Sequence, residues 1–228
     1  HEYWRSNGKF VPNIVLRLAS GGYIGGGLYH SQNIEGALAT LPGARIVCPS
    51  FADDAAGLLR TAMRSRGFTL YLEPKALYNS VEASSVVPEE FEVPFGKARI
   101  RREGTDLSMI TYGNTTHFCL NVAERLAQEG WSVEVIDLRS LIPLDKETIY
   151  ASVKKTSKAL VVHEDKVFSG FGAEIAAGIG TELFRYLDAP VQRVGSVFTP
   201  VGFHPILEKA ILPTEDKIYD AARTLLEY

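Results

Sequence analysis

Short apolar runs alternate with amphipathic segments through the first third of the chain. Three of these runs have the length of buried strands, at residues 13–18, 44–48 and 68–72. Apolar residues at helical spacing follow the second run, at Ala55, Leu58, Leu59, Ala62 and Met63. A shorter helix is predicted over 33–41, and Ser50 stands where a capping box would start the longer helix. Strands that alternate with helices predict an α/β fold with a parallel sheet.

The same alternation resumes after residue 104. Further strands are predicted at residues 107–112, 133–138, 159–162 and 191–194. Asn114 and Asp145 are placed to start two helices. Apolar stripes at successive turns mark two helices, at Phe118, Val122 and Leu126 and at Ile175, Ile179 and Leu183. With a closing helix over 215–226, this half has the pattern of a complete doubly wound domain.

Residues 74–104 interrupt the alternation. Prolines, serines and acidic residues dominate this segment, as is typical of an interdomain linker. We therefore predict two domains, at residues 1–85 and 105–228, joined by a linker over 86–104.

The composition is that of an ordinary globular protein, with 46% apolar and 22% charged residues. Because 24 basic residues face 27 acidic ones, for a formal charge of −3, no nucleic-acid or anionic-membrane surface is expected. No apolar stretch reaches the roughly 18 to 20 residues that span a bilayer. Cys48 and Cys119 lie in an apolar run and a helical pattern, without metal or redox spacing. Reduced thiols indicate a reducing compartment, so we expect the cytoplasm or a mitochondrial matrix.

A glycine-rich loop follows the first predicted strand and carries the first candidate site. Motifs for nucleotide phosphates, a serine nucleophile or a zinc-binding helix are absent in the required register. The loop delivers Tyr29 and His30 at the carboxyl end of a strand, where open parallel sheets bind ligands. Its placement alone is explained equally well by a packed or mobile loop with an incidental histidine.

A second candidate is His163-Glu164-Asp165, again at the end of a predicted strand. A histidine beside two carboxylates is usually a solvated or interface cluster, and we favour that interpretation over a catalytic one. His117 in a helix and His204 in a Pro-flanked turn are expected to be structural.

Taken in order, several segments resemble the beta subunits of the decarboxylating component of 2-oxoacid dehydrogenase complexes, in the transketolase-like superfamily. The matching segments run along nearly the whole chain. They are GGGLYHSQ at 25–32, LPG at 41–43, AAGLL at 55–59, EPKALY at 73–78, VIDLR at 135–139, HE at 163–164 and GFGAE at 170–174. The resemblance implies part of a pyrimidine-binding domain followed by a transketolase C-terminal-like domain.

The resemblance also implies cofactors and partners. Thiamine diphosphate is expected in a shared site, with magnesium brought by an alpha subunit or region. A lipoyl acyltransferase core and a second beta subunit are the other expected partners. The family glutamate that contacts the cofactor is expected to lie outside this sequence, so the chain alone is expected to be inactive.

By the same resemblance, His30 is the family's active-site histidine, which takes part in acyl transfer to the lipoyl group. Imidazole suits this step because it titrates near neutral pH and can protonate a departing sulfur. The family's potassium ligands, an Asp and an Asn, correspond here to Ser65 and Gly67, so no bound metal is expected. Tyr29 and the segment 73–75 favour a branched-chain 2-oxoacid as the substrate.

Two alternatives remain beside this interpretation. One is a non-catalytic module that dimerises and docks on an acyltransferase core. The other keeps the superfamily but changes the substrate, to pyruvate or acetoin. The His-Ser-Gln motif at 30–32 argues against transketolase itself.

Overall fold

The computed structural model describes residues 2–228, and of Glu2 and Tyr3 the backbone only. Within this range the strands are β1 Asn13–Ser20, β2 Ala44–Val47, β3 Gly67–Pro74, β4 Arg99–Arg102, β5 Leu107–Thr111, β6 Val133–Asp137, β7 Ser140–Ile142, β8 Ala159–Lys166 and β9 Gln192–Ser196. They form two sheets, with the orders β1-β3-β2-β7 and β4-β6-β5-β8-β9. Only β7 and β4, among the strands described, pair antiparallel with their neighbours. The predicted α/β fold is confirmed.

The helices connect and cover these strands. They are α1 Glu2–Arg5, α2 Gly27–His30, α3 Glu35–Leu38, α4 Ala52–Arg64, α5 Thr115–Ala127, α6 Lys146–Thr156, α7 Gly172–Glu182, α8 Pro205–Ile211 and α9 Glu215–Leu226. The closing helix has the predicted bounds, whereas the helix predicted over 33–41 shortens to α3. None of the helices in residues 2–228 is long and apolar enough to cross a membrane.

The first strand differs from its prediction. β1 was expected to be buried, but it lies at an edge of the first sheet and pairs with β3 alone among the described strands. Ile14 and Leu16 are 52% and 43% exposed as a result. An apolar run predicts a strand, but it does not reveal how many neighbours that strand has.

Two short strands link the halves of the chain in a way that the pattern does not predict. β4 lies inside the linker predicted over residues 86–104 and joins the second sheet beside β6. β7 lies in the predicted second domain and joins the first sheet beside β2. The second sheet therefore includes a strand of the predicted linker, and the first sheet includes a strand of the predicted second domain.

The predicted helix caps are partly wrong. Ser50 does not cap α4, which begins after Phe51 without a side-chain cap. The Ser50 hydroxyl instead donates to Asp137 Oδ1 at 2.9 Å, because it is buried against the second sheet. Asn114 does precede α5, but its side chain makes no cap bond. Asp145 caps α6 as predicted, accepting from the Thr148 backbone N–H at 3.2 Å.

One apolar core runs through both halves. Ile46 and Leu70 from the first sheet pack in the same buried cluster as Ile110, Ile136 and Val161 from the second. Burial of each such side chain stabilises the fold by about 1.5 to 3 kcal/mol. The continuous core fixes the first sheet against the second and so fixes the groups at their common edge.

Candidate active site

The candidate site lies at the carboxyl ends of β1 and β3, where Ser20 and Pro74 are register partners. A loop follows β1, and the backbone N–H of Gly21 donates to the carbonyl oxygen of Gln32 at 2.9 Å. This bond closes the segment at its base, as in compact loops that often carry function. We call residues 21–32 the His30 loop.

Two glycines make this loop possible. Gly21 has φ +84°, and a Cβ there would lie 2.6 Å from Glu164 Oε1. A Cβ on Gly26 would lie 2.8 Å from the carbonyl oxygen of His30, so the turn that presents His30 has no room for a side chain at that position. Gly21 therefore needs glycine for its backbone conformation as well as for contact, whereas Gly26, whose φ is −76°, needs it for contact alone.

The far end of the loop is open to solvent. His30 is exposed at the end of α2, and Leu28 and Tyr29 before it are 52% and 86% exposed. Gln32 Nε2 donates to the Leu28 carbonyl oxygen at 2.6 Å and holds this turn. No hydrogen-bond partner of the His30 imidazole occurs among the described residues. The loop thus presents one imidazole free to contact another molecule.

The second sequence candidate lies in a buried contact between the two halves. His163, Glu164 and Asp165 were expected in a solvated or interface cluster, and all three are buried, with 0%, 6% and 4% exposure. They extend β8 toward the first half of the chain, where Gly22 and Gly36 contact the two carboxylates. Burial excludes the solvated alternative and agrees with the interface one.

The two carboxylates of this cluster contact the backbone around the His30 loop. Glu164 Oε1 accepts from the Gly22 N–H at 2.5 Å. Asp165 Oδ2 accepts from the Gly36 N–H at 3.2 Å. These bonds connect segments that lie more than a hundred residues apart in the sequence.

Glu35 joins the same cluster and was missed by the sequence analysis. Its Oε1 accepts from the Tyr112 hydroxyl at 3.0 Å, and its side chain is fully buried. Burial is the main cause that raises the pKa of Glu35 to about 7, and repulsion from Asp165 adds to it. The sequence signal was slight, a lone carboxylate in the apolar segment after the His30 loop.

Burial also raises the pKa of Glu164 to about 7, although the Gly22 hydrogen bond and the charge of Lys75 act in the opposite direction. The pKa of Asp165 is raised for the same first reason, burial. Three neighbouring carboxyl groups at the edge of the His30 loop are therefore harder to ionise than exposed ones.

His163 has no such contacts. Both ring nitrogens are buried without a hydrogen-bond partner in the described part of the chain, and the ring stacks on Tyr112 with centroids 6.4 Å apart. Burial is the main cause that lowers the pKa of His163 to about 4, and the positive charge of Arg193 adds to it. A Cβ on Gly172 would lie 2.2 Å from the ring. His163 therefore packs as a neutral core side chain.

The remaining predicted residues lie in structural contacts. His117 Nε2 lies 2.8 Å from the Ser50 carbonyl oxygen, and His204 Nδ1 accepts from the Ile206 N–H at the start of α8. Cys48 and Cys119 are buried and unpaired with each other, and burial raises the pKa of both thiols, that of Cys119 to about 12.

Ser65 and Gly67, the two positions where the resemblance implies potassium ligands, lie at the amino end of β3, away from the His30 loop. Ser65 Oγ donates to the Thr61 carbonyl oxygen at 2.6 Å, and the Gly67 N–H donates to that of Pro12 at 2.8 Å. In residues 2–228 no group of three or more His, Cys, Asp or Glu side chains is arranged to hold a metal ion.

Comparison with known proteins follows the two halves of the chain. Residues 4–81 match the transketolase pyrimidine-binding domain, and residues 96–218 match the transketolase C-terminal domain. The chain is 40% identical over 226 residues to the 2-oxoisovalerate dehydrogenase subunit beta of Bacillus subtilis, covering 99% of this chain and 69% of that protein. It is 39% identical over 225 residues to the pyruvate dehydrogenase E1 component subunit beta of the same organism, with the same coverage.

A solved structure shows the same fold. It is the inactive beta4 tetramer of a split-gene transketolase, which superposes with a TM-score of 0.74 at 24% identity. The superposition covers 95% of this chain and 67% of that one.

Proposed function

Since the chain belongs to the beta subunits of 2-oxoacid dehydrogenase complexes, built on transketolase-type domains, we propose that it takes part in decarboxylating a 2-oxoacid and acylating lipoamide. His30 is the catalytic side chain in this proposal. The observation that carries it is the exposed imidazole, without a partner in the described residues, on a loop whose base is closed and buried.

His30 acts in the acyl-transfer step. The acyl carbon keeps the electron pair left by the loss of CO2 and uses it to bond to one sulfur of the lipoyl dithiolane as the S–S bond breaks, and its release from the cofactor then leaves the thioester. The second sulfur leaves as a thiolate and takes its proton from the imidazolium. Imidazole is suited to this because it exchanges protons near neutral pH. Thiamine diphosphate, when bound, supplies the electron sink for the loss of CO2 from the 2-oxoacid.

The His30 loop suits the thiazolium end of that cofactor. Its glycines allow the backbone to approach a ligand closely, and Ile24 and Leu28 on the same loop are 46% and 52% exposed, so they can exclude water from a bound ring. In this proposal the magnesium ion that holds the diphosphate comes with the alpha partner. Ser65 and Gly67 offer no carboxylate or amide, so the proposal includes no potassium.

A branched-chain 2-oxoacid is the proposed substrate. Tyr29 and the segment 73–75 support it through their resemblance to that branch of the family, and Tyr29 is 86% exposed beside His30. The identities to the 2-oxoisovalerate and pyruvate relatives, 40% and 39%, favour neither substrate. Rates with branched 2-oxoacids, pyruvate and acetoin, measured on the assembled enzyme, distinguish the three.

The proposed partners are an alpha subunit or region, an acyltransferase core and a second beta subunit. Exposed apolar side chains on the same molecule, among them Phe203 at 76% and Ile206 at 72%, support such contacts. Two buried, unpaired cysteines support assembly in the cytoplasm or a mitochondrial matrix. We also propose that residues 86–104 separate the two domains.

The assembled enzyme carrying His30→Ala tests the catalytic role. Acylation of a lipoylated acyltransferase domain should fall at least about a hundredfold, the scale of one general acid. Calorimetry should show that this variant still binds the cofactor. The matched control is His204→Ala, which removes another exposed imidazole and should leave acylation within about twofold of wild type. Wild-type acylation by His30→Ala with cofactor bound would refute the assignment and favour the docking module.

A further inference from the structure

We propose that Glu164 and Asp165 are positioning residues for His30, holding from the opposite domain the backbone at the start of its loop and in helix α3 just after it. This inference rests on the proposed function of His30. Neither carboxylate is offered as a catalytic group.

Glu164 fixes the entry to the loop. Its Oε1 accepts from the Gly22 N–H at 2.5 Å, and the side chain is 6% exposed. The approach depends on the preceding glycine, because a Cβ on Gly21 would lie 2.6 Å from the same oxygen. A residue larger than glycine at position 21 would collide with the carboxylate, and a side chain shorter than glutamate at position 164 would not reach Gly22. Either change would break the hydrogen bond between Glu164 and the Gly22 N–H.

Asp165 fixes the start of helix α3, just after the loop, in the same manner. Its Oδ2 accepts from the Gly36 N–H at 3.2 Å, and a Cβ on Gly36 would lie 2.8 Å from that oxygen. The residue before it, Glu35, accepts from the Tyr112 hydroxyl of the second domain. Three contacts from the second domain thus bracket the loop, and its exposed segment lies between them.

This arrangement is costly as a purely structural contact. Glu35, Glu164 and Asp165 are all at least nine-tenths buried, and burial of such groups disfavours their charged forms. Well-packed apolar residues would usually join two domains with no loss of stability. Glu35 Oε2 and Asn114 Nδ2 remain buried without partners in the described residues and line the same cavity, whose volume of about 10 Å³ suits one water molecule.

The two carboxylates instead fix the position of the backbone that they contact. Hydrogen bonds to two backbone N–H groups define the position of the loop base, whereas apolar contact allows sliding. Displacement of a catalytic group by about 1 Å can cost about a hundredfold in rate. The carboxylates lie where such a displacement would begin, next to the bond between Gly21 and Gln32 that closes the loop.

The test uses the assembled enzyme with Glu164→Ala, Glu164→Asp and Glu164→Gln. Alanine removes the acceptor and aspartate is one methylene too short to reach Gly22. Both should lower kcat for lipoyl acylation about tenfold to a hundredfold, with KM for the 2-oxoacid within about twofold. Glutamine keeps an acceptor oxygen at the same reach and should stay within about threefold of wild type.

A matched control is Glu134→Ala, which removes another buried carboxylate, on β6 and paired with Lys155. It should lower the melting temperature without changing kcat. In the His30→Ala background, Glu164→Asp should cause no further loss of rate, because its effect passes through His30.

Wild-type kcat in folded Glu164→Asp, or a loss in Glu164→Gln as large as in the aspartate variant, would overturn the inference. If Glu164→Ala does not assemble, the Asp and Gln variants decide. The two proposals fail separately. Wild-type activity in His30→Ala refutes the proposed function, whereas a large loss there with wild-type activity in Glu164→Asp refutes the positioning role alone.

Discussion

Arg139 Nη1 donates to Asp54 Oδ1 at 2.8 Å in a buried ion pair between the segment after β6 and helix α4. Asp54 is fully buried, and its other oxygen accepts from Arg101 on β4. Arg99 Nη1 lies 3.9 Å from Asp54 Oδ1, so one carboxylate of the first half faces three guanidinium groups from residues 99–139. The halves of the chain are joined by this pairing at one side and by the Glu35–Tyr112 contact near the His30 loop.

Removal of the shared carboxylate should be strongly destabilising. Asp54→Ala leaves buried Arg139 without a carboxylate partner and leaves Arg101 with Asp137 alone, so we expect the free energy of unfolding to fall by about 3 to 5 kcal/mol in urea titrations. The exposed pair of Arg223 and Glu227 provides the control, since Glu227→Ala should cost less than about 1 kcal/mol. Equal losses in the two variants would contradict the role assigned to Asp54.

The raised pKa of Glu35 should appear in the pH dependence of stability. Because its pKa is about 7 in the folded protein and near 4.5 when unfolded, the folded state binds more protons between these values. Stability from Glu35 therefore falls as pH rises through this window. Wild type should lose about 2 to 3 kcal/mol relative to Glu35→Gln between pH 5 and pH 8.

Using the difference between wild type and variant cancels His163, whose lowered pKa of about 4 acts with the opposite sign between pH 4 and 6.5. Glu134→Gln is the control. The pKa of Glu134 is lowered, because hydrogen bonds from Lys155 and others outweigh burial, so its pH dependence lies below pH 5. A pH-independent difference between wild type and Glu35→Gln in urea unfolding would count against the buried, protonated state of Glu35.

Two glycines of helix α7 should respond oppositely to alanine. A Cβ on Gly172 would lie 2.2 Å from the His163 ring, so Gly172→Ala should lower the free energy of unfolding by about 1 to 3 kcal/mol. Nothing lies within 4 Å of a Cβ on Gly180, and Gly180→Ala should raise it by about 0.5 to 1 kcal/mol. Thermal denaturation measures both changes. If the melting temperatures of the two variants shifted in the same direction, the contact between Gly172 and His163 would not determine the effect of the substitution.

The segment between the proposed domains should be cut without separating them. Residues 84–90 are exposed, with Val86 at 89%, and a glutamate-specific protease should cleave after Glu89 or Glu90. Because β7 and the common core join the halves, the nicked protein should elute from a sizing column like the intact chain. We expect the two fragments to separate only in urea. Two separate peaks under native conditions would contradict the tight association of the two halves.

Local patterns predicted much of this fold. The apolar stripe at Ile175, Ile179 and Leu183 is buried, and α9 has its predicted bounds, because helical periodicity records which face packs. β4 and β7 were not predicted. Each has three or four residues, and β4 is rich in arginine, so neither shows a strand pattern of its own.

The site was predictable only in part. Glycines at the end of a strand pointed to the His30 loop, since that edge of a parallel sheet binds ligands. The bonds from Glu164 to the start of this loop and from Asp165 to the helix after it span 142 and 129 residues of sequence, and no local pattern records such pairs. His163-Glu164-Asp165 was therefore identified as a cluster, while its burial and its contact with the loop came from the tertiary structure.

The placement of β7 affects the order in which the chain can assemble. The first sheet receives its fourth strand from a segment that follows β5 and β6 of the second sheet. A chain emerging from the ribosome therefore cannot finish its first domain before residues 105–142 of the second have been synthesised, although domains usually fold as they appear. We expect the two halves to mature together in one late event, which is also when the His30 loop meets the carboxylates that hold it.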